Sequence, residues 1–401
     1  PFIHLFMKNN SYSLSYIRVL YAMWLVRTVL SYLLTYRKSL LIADQKEYIA
    51  SITGLILNVV SYLAIILLVT WEQNYLLALG IGTVTEVVLN IWISWYVEQK
   101  YPFLRQRRKE KSTSSLTKRI VRDLKSLFIS RISEKMLYCT DNLIISGFIG
   151  VGTVGRYANY CMITQAISNI LTILANTIQP TVGDYFTEKN RQRNYEILRQ
   201  LTFGFFCIAS VVSVGLFSLI TPFVRDIWLG PSYELGWGIT VFCIVVLLVR
   251  IMGLPLSLVM GVTGLFEKEK NVGASSALLN LIVSLALVKP YGMAGVLLGT
   301  LLSYLLQILY RYIIYFRDFL EMPGEALRYA QDIGEYLAVI AGEVLLMQKI
   351  VPLIYGAGGM LLFCVCFLLC IAIPLLLDLV IFGRGWRLQS IVTMVKGMRK
   401  A

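Results

Sequence analysis

Eleven stretches of this chain are apolar for long enough to cross a bilayer, and that fact constrains the fold more than any other. They run over about 15–36, 48–70, 75–97, 126–149, 156–180, 200–222, 237–260, 272–288, 291–316, 333–354 and 357–382. A helix needs roughly 20 residues to span about 30 Å of hydrocarbon. In that solvent every backbone N–H and C=O must be satisfied internally, so runs of this length predict helices and an all-α integral membrane protein of about eleven transmembrane helices. Hydrophobic residues make up 57% of the 401 and charged residues 15%, which excludes a soluble enzyme of ordinary composition. The seven cysteines all fall within apolar runs, and His4 is the only histidine, so the sequence implies neither a disulfide framework nor a metal site, and no cofactor.

The formal net charge of +14 is a topological signal rather than a nucleic-acid signal. With Arg37, Lys38 and Lys46 placed inside, every second connection that follows is also basic. These carry Arg105 to Lys111, then Lys189, Arg191 and Arg193, then Lys268 and Lys270, then Arg317 and Arg328. The alternate connections, such as 71–74, 150–155 and 355–359, are short and nearly free of Lys and Arg. The pattern puts the C-terminus in the cytoplasm. The tail, 383–401, is basic with interspersed apolar residues and is expected to lie on the inner leaflet.

A weak internal repeat organises the spans. Gln45-Lys46-Glu47 with Asn58 returns at a constant offset of 222 as Glu267-Lys268-Glu269 with Asn280, relating the second span to the eighth. A parallel repeat of six helices follows, which is a recurrent transporter plan. The count predicts about fourteen spans in the intact protein, with three helices preceding Pro1. The expected division is 1–97 for the remainder of an N-terminal lobe, 98–125 for a basic cytoplasmic linker, 126–317 for a six-helix C-terminal lobe, 318–382 for two additional helices and 383–401 for the tail.

Charge inside a span is expensive and marks candidate function. In the fourth span Arg131, Glu134, Lys135, Tyr138, Asp141 and Asn142 recur at helical spacing and form one polar stripe. In the fifth, Gln165, Ser168, Asn169, Thr172, Asn176 and Gln179 form another, above Arg156 and Asn159. Interhelical pairing and polar packing are the alternatives to a hydrated path. Glu86 in the third span suits either a coupling ion or a pairing with a neighbouring cation. Arg250, just before Gly253 and Pro255, stands at an expected kink or local break of the seventh apolar run from the start of the chain. Arg131, Lys135 and Arg250 suit an anionic substrate, because guanidinium and ammonium groups bind phosphate oxygens through charge-assisted hydrogen bonds.

Two motifs carry a family resemblance. Tyr36-Arg-Lys-Ser-Leu-Leu-Ile-Ala-Asp-Gln-Lys-Glu-Tyr-Ile49 resembles the cytoplasmic connection between helices four and five of the polysaccharide transport proteins, which belong to the multidrug/oligosaccharidyl-lipid/polysaccharide exporter superfamily. Thr140-Asp-Asn-Leu-Ile-Ile-Ser-Gly-Phe-Ile-Gly150 with Tyr157-Ala-Asn-Tyr160 is similar to the family's seventh helix and the start of its eighth. The resemblance implies two six-helix lobes in a V shape plus two C-terminal helices in a MATE-like fold. It also implies a flippase moving an undecaprenyl-diphosphate-linked repeat unit across the bacterial inner membrane for O-antigen, capsule or related glycan assembly. Asp141, Asn142, Asn159 and Tyr160 occupy the recurring polar positions, while Arg156 departs from the pattern. The implied partners are the polyprenyl diphosphate lipid, membrane lipids and other glycan-assembly membrane proteins.

No nucleotide-binding Gly-rich motif is present, so an H+ or Na+ gradient is the expected energy source, with Glu86, Glu134 and Asp141 as coupling candidates. A cation or drug antiporter of the same superfamily would want an acidic cavity, against which the basic spans argue. A glycan polymerase or ligase would want acid/base residues in a large outer loop. The largest here, 221–236, offers only Arg225, Asp226 and Glu234.

Overall fold

The computed structural model describes residues 13–33, 35–44, 46–72, 75–105, 139–186, 190–263, 265–356 and 358–383. Its helices are α1 (Leu14–Leu33), α2 (Thr35–Ala43), α3 (Glu47–Glu72), α4 (Tyr75–Lys100), α5 (described over 139–148), α6 (Val151–Tyr185), α7 (Arg191–Pro222), α8 (Trp237–Val262), α9 (Phe266–Tyr291), α10 (Met293–Ile314), α11 (Pro323–Tyr355) and α12 (Met360–Phe382). Nine helical segments among the described residues are long and apolar enough to span a membrane: α3, α4 and the seven from α6 to α12. The protein is an all-α integral membrane protein. Of the other two expected spans, 15–36 corresponds to α1, which is not among the nine, and most of 126–149 lies outside the described residues.

The described helices belong to two compact units, α1–α4 and α5–α12. In the first, α4 packs on α1, α2 and α3. Its buried core is small, with Leu41 of α2 and Ala50 of α3 against Ile93 and Val97 of α4. Beside it the Asp44 carboxylate accepts from Lys46 Nζ at 2.5 Å and Tyr101 Oη at 2.6 Å, and these two donors hold its pKa below the usual carboxylate value. The sequence reads 36–49 as a simple connection. The structure makes it a short helix and a tied turn, because Leu41 is fully buried and Arg37 reaches Glu98 at 2.6 Å. Much of α3 is exposed within its unit, with Leu55, Ile56, Val60, Leu63 and Leu67 as exposed apolar side chains.

The second unit is built around α7, which packs on α8, α11 and α12, while α8 also packs on α6 and α10, and α9 on α10. α7 starts earlier than its apolar run predicts. Asn190 caps it, its Oδ1 accepting from Arg193 N at 3.1 Å, so Arg191 and Arg193 form the first turn rather than a loop. At the other end the connection to α8 is a π turn, Phe223–Trp228, then a 3-10 turn, Pro231–Tyr233. α8 is continuous through Pro255, so the expected local break does not occur. α9 and α10 approach closely where Gly299 faces Ser284, and an added Cβ at Gly299 would overlap the serine hydroxyl.

Candidate functional site

One face each of α6, α8 and α10 encloses a cavity of about 220 Å³ within the second unit. Helical spacing puts the lining there. Arg250, Gly253, Leu254 and Ser257 recur along α8, Tyr304, Gln307, Ile308 and Arg311 along α10, and Ser168 and Thr172 along α6. The Arg250 guanidinium lies 5.4 Å from the Tyr304 ring centroid, a cation–π contact that orients the planar fork. Gly253 is required by proximity, since a Cβ there would come 2.9 Å from Ile308 Cγ1. The cavity therefore presents two guanidinium groups, a phenol, an amide and serine hydroxyls, a donor set matched to phosphate oxygens.

A second polar centre lies in the same unit, between α5, α9 and α10. Asp141, 5% exposed, accepts at Oδ2 from Thr300 Oγ1 at 2.7 Å, and Asn280 Nδ2 donates to Thr300 Oγ1 at 2.9 Å. Asp141 Oδ1 and Asn280 Oδ1 are left without a hydrogen-bond partner, although both are buried. An acid enclosed this way, with oxygen lone pairs still open, is chemically suited to take a proton or a small cation.

The structure places the sequence-derived candidates unevenly. Arg131, Glu134 and Lys135 lie outside the described residues. Arg250 lines the cavity and Asp141 is the centre of the buried cluster, whereas Asn142 is exposed. Asn159 spends its amide on the Gly155 carbonyl of its own helix at 3.0 Å. Tyr160 is fully buried, and its hydroxyl accepts from Leu235 N at 3.2 Å, fixing the turn that leads into α8. Glu86 pairs with Arg27 of α1 at 3.6 Å. Of the fifth span's stripe, Ser168 and Thr172 reach the cavity, and Asn169 and Asn176 are exposed.

Sequence reading missed Tyr304, Gln307 and Arg311, which complete the cavity. Arg311 was detectable by the rule that selected Arg250, since it too is a cation within an apolar run. Asn280 stood out only as a repeat marker, and its repeat partner Asn58 is exposed while Asn280 is fully buried.

Residues 1–186 match the family model described as polysaccharide biosynthesis protein. No curated protein matches the chain in sequence. Among solved structures, the lipid II flippase MurJ in its inward closed conformation is similar in fold, with a TM-score of 0.63 at 15% identity, covering 86% of this chain and 70% of that one. The recognition made from the 36–49 and 140–160 motifs is borne out, by family over the first 186 residues and by fold over most of the chain.

Proposed function

From a polysaccharide-biosynthesis match and a flippase fold, we propose that this protein translocates an undecaprenyl-diphosphate-linked oligosaccharide repeat unit across the bacterial plasma membrane by alternating access. It is a transporter, not an enzyme, and its C-terminus is cytoplasmic. The observation that carries the reading is the α6–α8–α10 cavity, where Arg250 and Arg311 face a polar space too small for an oligosaccharide but suited to its diphosphate. Two guanidinium groups neutralise the head while the polyprenyl chain stays in lipid. Arg131 and Lys135 add positive charge to the same path, and Asn142 and Asn159 offer polar contacts to the sugars.

Movement is driven by an ion. Asp141, with its open oxygen, is the coupling residue, and H+ or Na+ is the ion. Glu86 is already engaged by Arg27 and serves to join α1 to α4.

The test is translocation of a labelled polyprenyl-diphosphate oligosaccharide by the full-length protein in proteoliposomes. Arg250→Ala and Arg311→Ala should each lower the rate at least about tenfold, with Arg250→Lys intermediate, on the scale of one lost charge-assisted contact. Wild-type rates in both alanine variants would remove the cavity from the substrate path, and exchange of organic cations in place of the lipid would make the protein an antiporter of the same superfamily.

A further inference from the structure

The described helices α7, α11 and α12 bury two acids that the proposed transport path does not use. Glu343 of α11 is 3% exposed and Asp378 of α12 is 4% exposed. Ser210 of α7, fully buried, donates its only hydroxyl hydrogen to Glu343 Oε2 at 2.6 Å. Phe382, one turn along α12 from Asp378, packs on Phe206, one turn along α7 from Ser210, at 5.5 Å between ring centroids, so Asp378 lies at the same junction of α7, α11 and α12 as Glu343 and Ser210. Glu343 Oε1 and both oxygens of Asp378 have no hydrogen-bond partner. Cys207 of α7 is a further titratable group near the acids, and the Phe206, Tyr336 and Phe382 rings pack together beside them toward the α12 C-terminus.

Among the described residues neither acid is in an ion pair. Arg199 is bound to Asp332 and lies eleven residues from Ser210 along α7, about 16 Å of helix rise. Lys349 of α11 is exposed. Two ionised carboxylates buried at one apolar junction would repel each other, with no counter-charge among the described residues, which costs several kcal/mol or more in order of magnitude. One proton resolves the conflict: a carboxylic acid donates to its neighbouring carboxylate, which turns repulsion into a hydrogen bond and supplies partners for the orphaned oxygens. A metal fits less well. The cluster offers two carboxylates and one hydroxyl among aromatic rings, and among the described residues no group of three His, Cys, Asp or Glu side chains could hold a metal ion.

We infer that Glu343 and Asp378 share a proton and form a proton-binding site, separate from Asp141, that fastens α11 and α12 to α7. Ser210 occupies Glu343 Oε2, so Oε1 is the Glu343 oxygen left open to the shared proton. Loss of the proton leaves two charges in a space that cannot solvate them, so the two terminal helices separate from α7 until water enters.

Two measurements on the full-length protein in nanodiscs decide this. The first is stability against pH. A folded state that keeps a proton which the unfolded chain has released becomes less stable as pH rises, by up to tenfold in the unfolding equilibrium per pH unit. In an Asp141→Asn background, where that acid adds no slope of its own, the protein should show this dependence and adding Glu343→Gln/Asp378→Asn should flatten it. An unchanged slope in the double variant overturns the proposal. The second measurement does not depend on the double variant folding. In an Asp141→Asn background, the infrared spectrum at neutral pH should retain a protonated-carboxyl C=O band that disappears as pH rises. Absence of that band, or stabilisation by sodium in place of dependence on pH, overturns the shared proton. Because Asp141 is neutralised in that background, failure here leaves the coupling role of Asp141 standing, and failure of that role leaves the pair standing.

Discussion

At the scale of single residues, Thr300 shows how a small side chain can set the chemistry of a larger one. Its hydroxyl lies between Asp141 and Asn280, donating to the acid and accepting from the amide. Valine has the same shape without the hydroxyl, so Thr300→Val removes one donor from a buried carboxylate and one acceptor from a buried amide. The lost partners cost about 1–3 kcal/mol, toward the lower end because Asn280 already acts on Asp141 and its freed amide can turn to it. A lowered denaturation midpoint in nanodiscs is the expected outcome, with Ser275→Ala as a control, since that hydroxyl only bonds back to its own helix at Val272 O. Equal midpoints for Thr300→Val and wild type would mean that the cluster is not cohesive. Asp141 was legible because an acid in an apolar run is conspicuous, and Glu343 and Asp378 carried the same signal within AGEVLL and LLDLVI. Tyr160 misleads in the opposite sense. A polar residue at a recurring family position reads as a substrate contact, but its hydroxyl is spent on a backbone N–H seventy-five residues away.

At the scale of helices, apolar run length was a good guide because hydrocarbon thickness fixes it, and it located the ends of α3, α4 and α6 to α12 to within about six residues, except that α7 and α11 begin nine and ten residues earlier with polar first turns. Helix partners were not legible. A helix apolar on every side gives no stripe to say which face packs and which meets lipid. α3 and α7 look alike in sequence, yet α3 is largely exposed within its unit and α7 is the most enclosed of the spanning helices. What identifies the α7–α11 contact is polar. Arg199 binds Asp332 through two parallel hydrogen bonds, Nε to Oδ2 at 2.6 Å and Nη2 to Oδ1 at 2.9 Å, and three residues further along α7 Thr202 meets Tyr329 at 3.1 Å. Such a pair is poor evidence of net stabilisation but expensive to break on one side. Arg199→Met alone should therefore cost about 3–5 kcal/mol, by leaving the enclosed Asp332 carboxylate without its fork, whereas Arg199→Met with Asp332→Leu should recover most of that loss. Denaturation midpoints of the three proteins measure the difference. Additive losses in the double variant would show that each side chain acts through other partners instead.

At the scale of the whole molecule, the membrane orientation ties the charge pattern, the helices and the proposed direction of transport together. The basic connections at 190–193 and 317–328 fall on one side if α7, α8, α9 and α10 each cross once, and the 223–236 connection with its exposed Tyr233 falls on the other. Cytoplasmic excess of Lys and Arg then fixes which side is which. The structure adds the detail that makes this measurable. Gln192 sits in the exposed first turn of α7 and Tyr233 in the 3-10 turn that follows the same helix, so one continuous helix separates them. In a cysteine-free background, Tyr233→Cys should react with a membrane-impermeant maleimide in intact spheroplasts, while Gln192→Cys should react only after the membrane is opened. The reverse pattern would invert α7 and oppose the direction of transport proposed above. Labelling of both sites in intact cells would instead mean that α7 does not cross. Because the two positions bracket a helix whose ends are set by the Asn190 cap and the turn at 223–228, the result depends on no loop of uncertain reach.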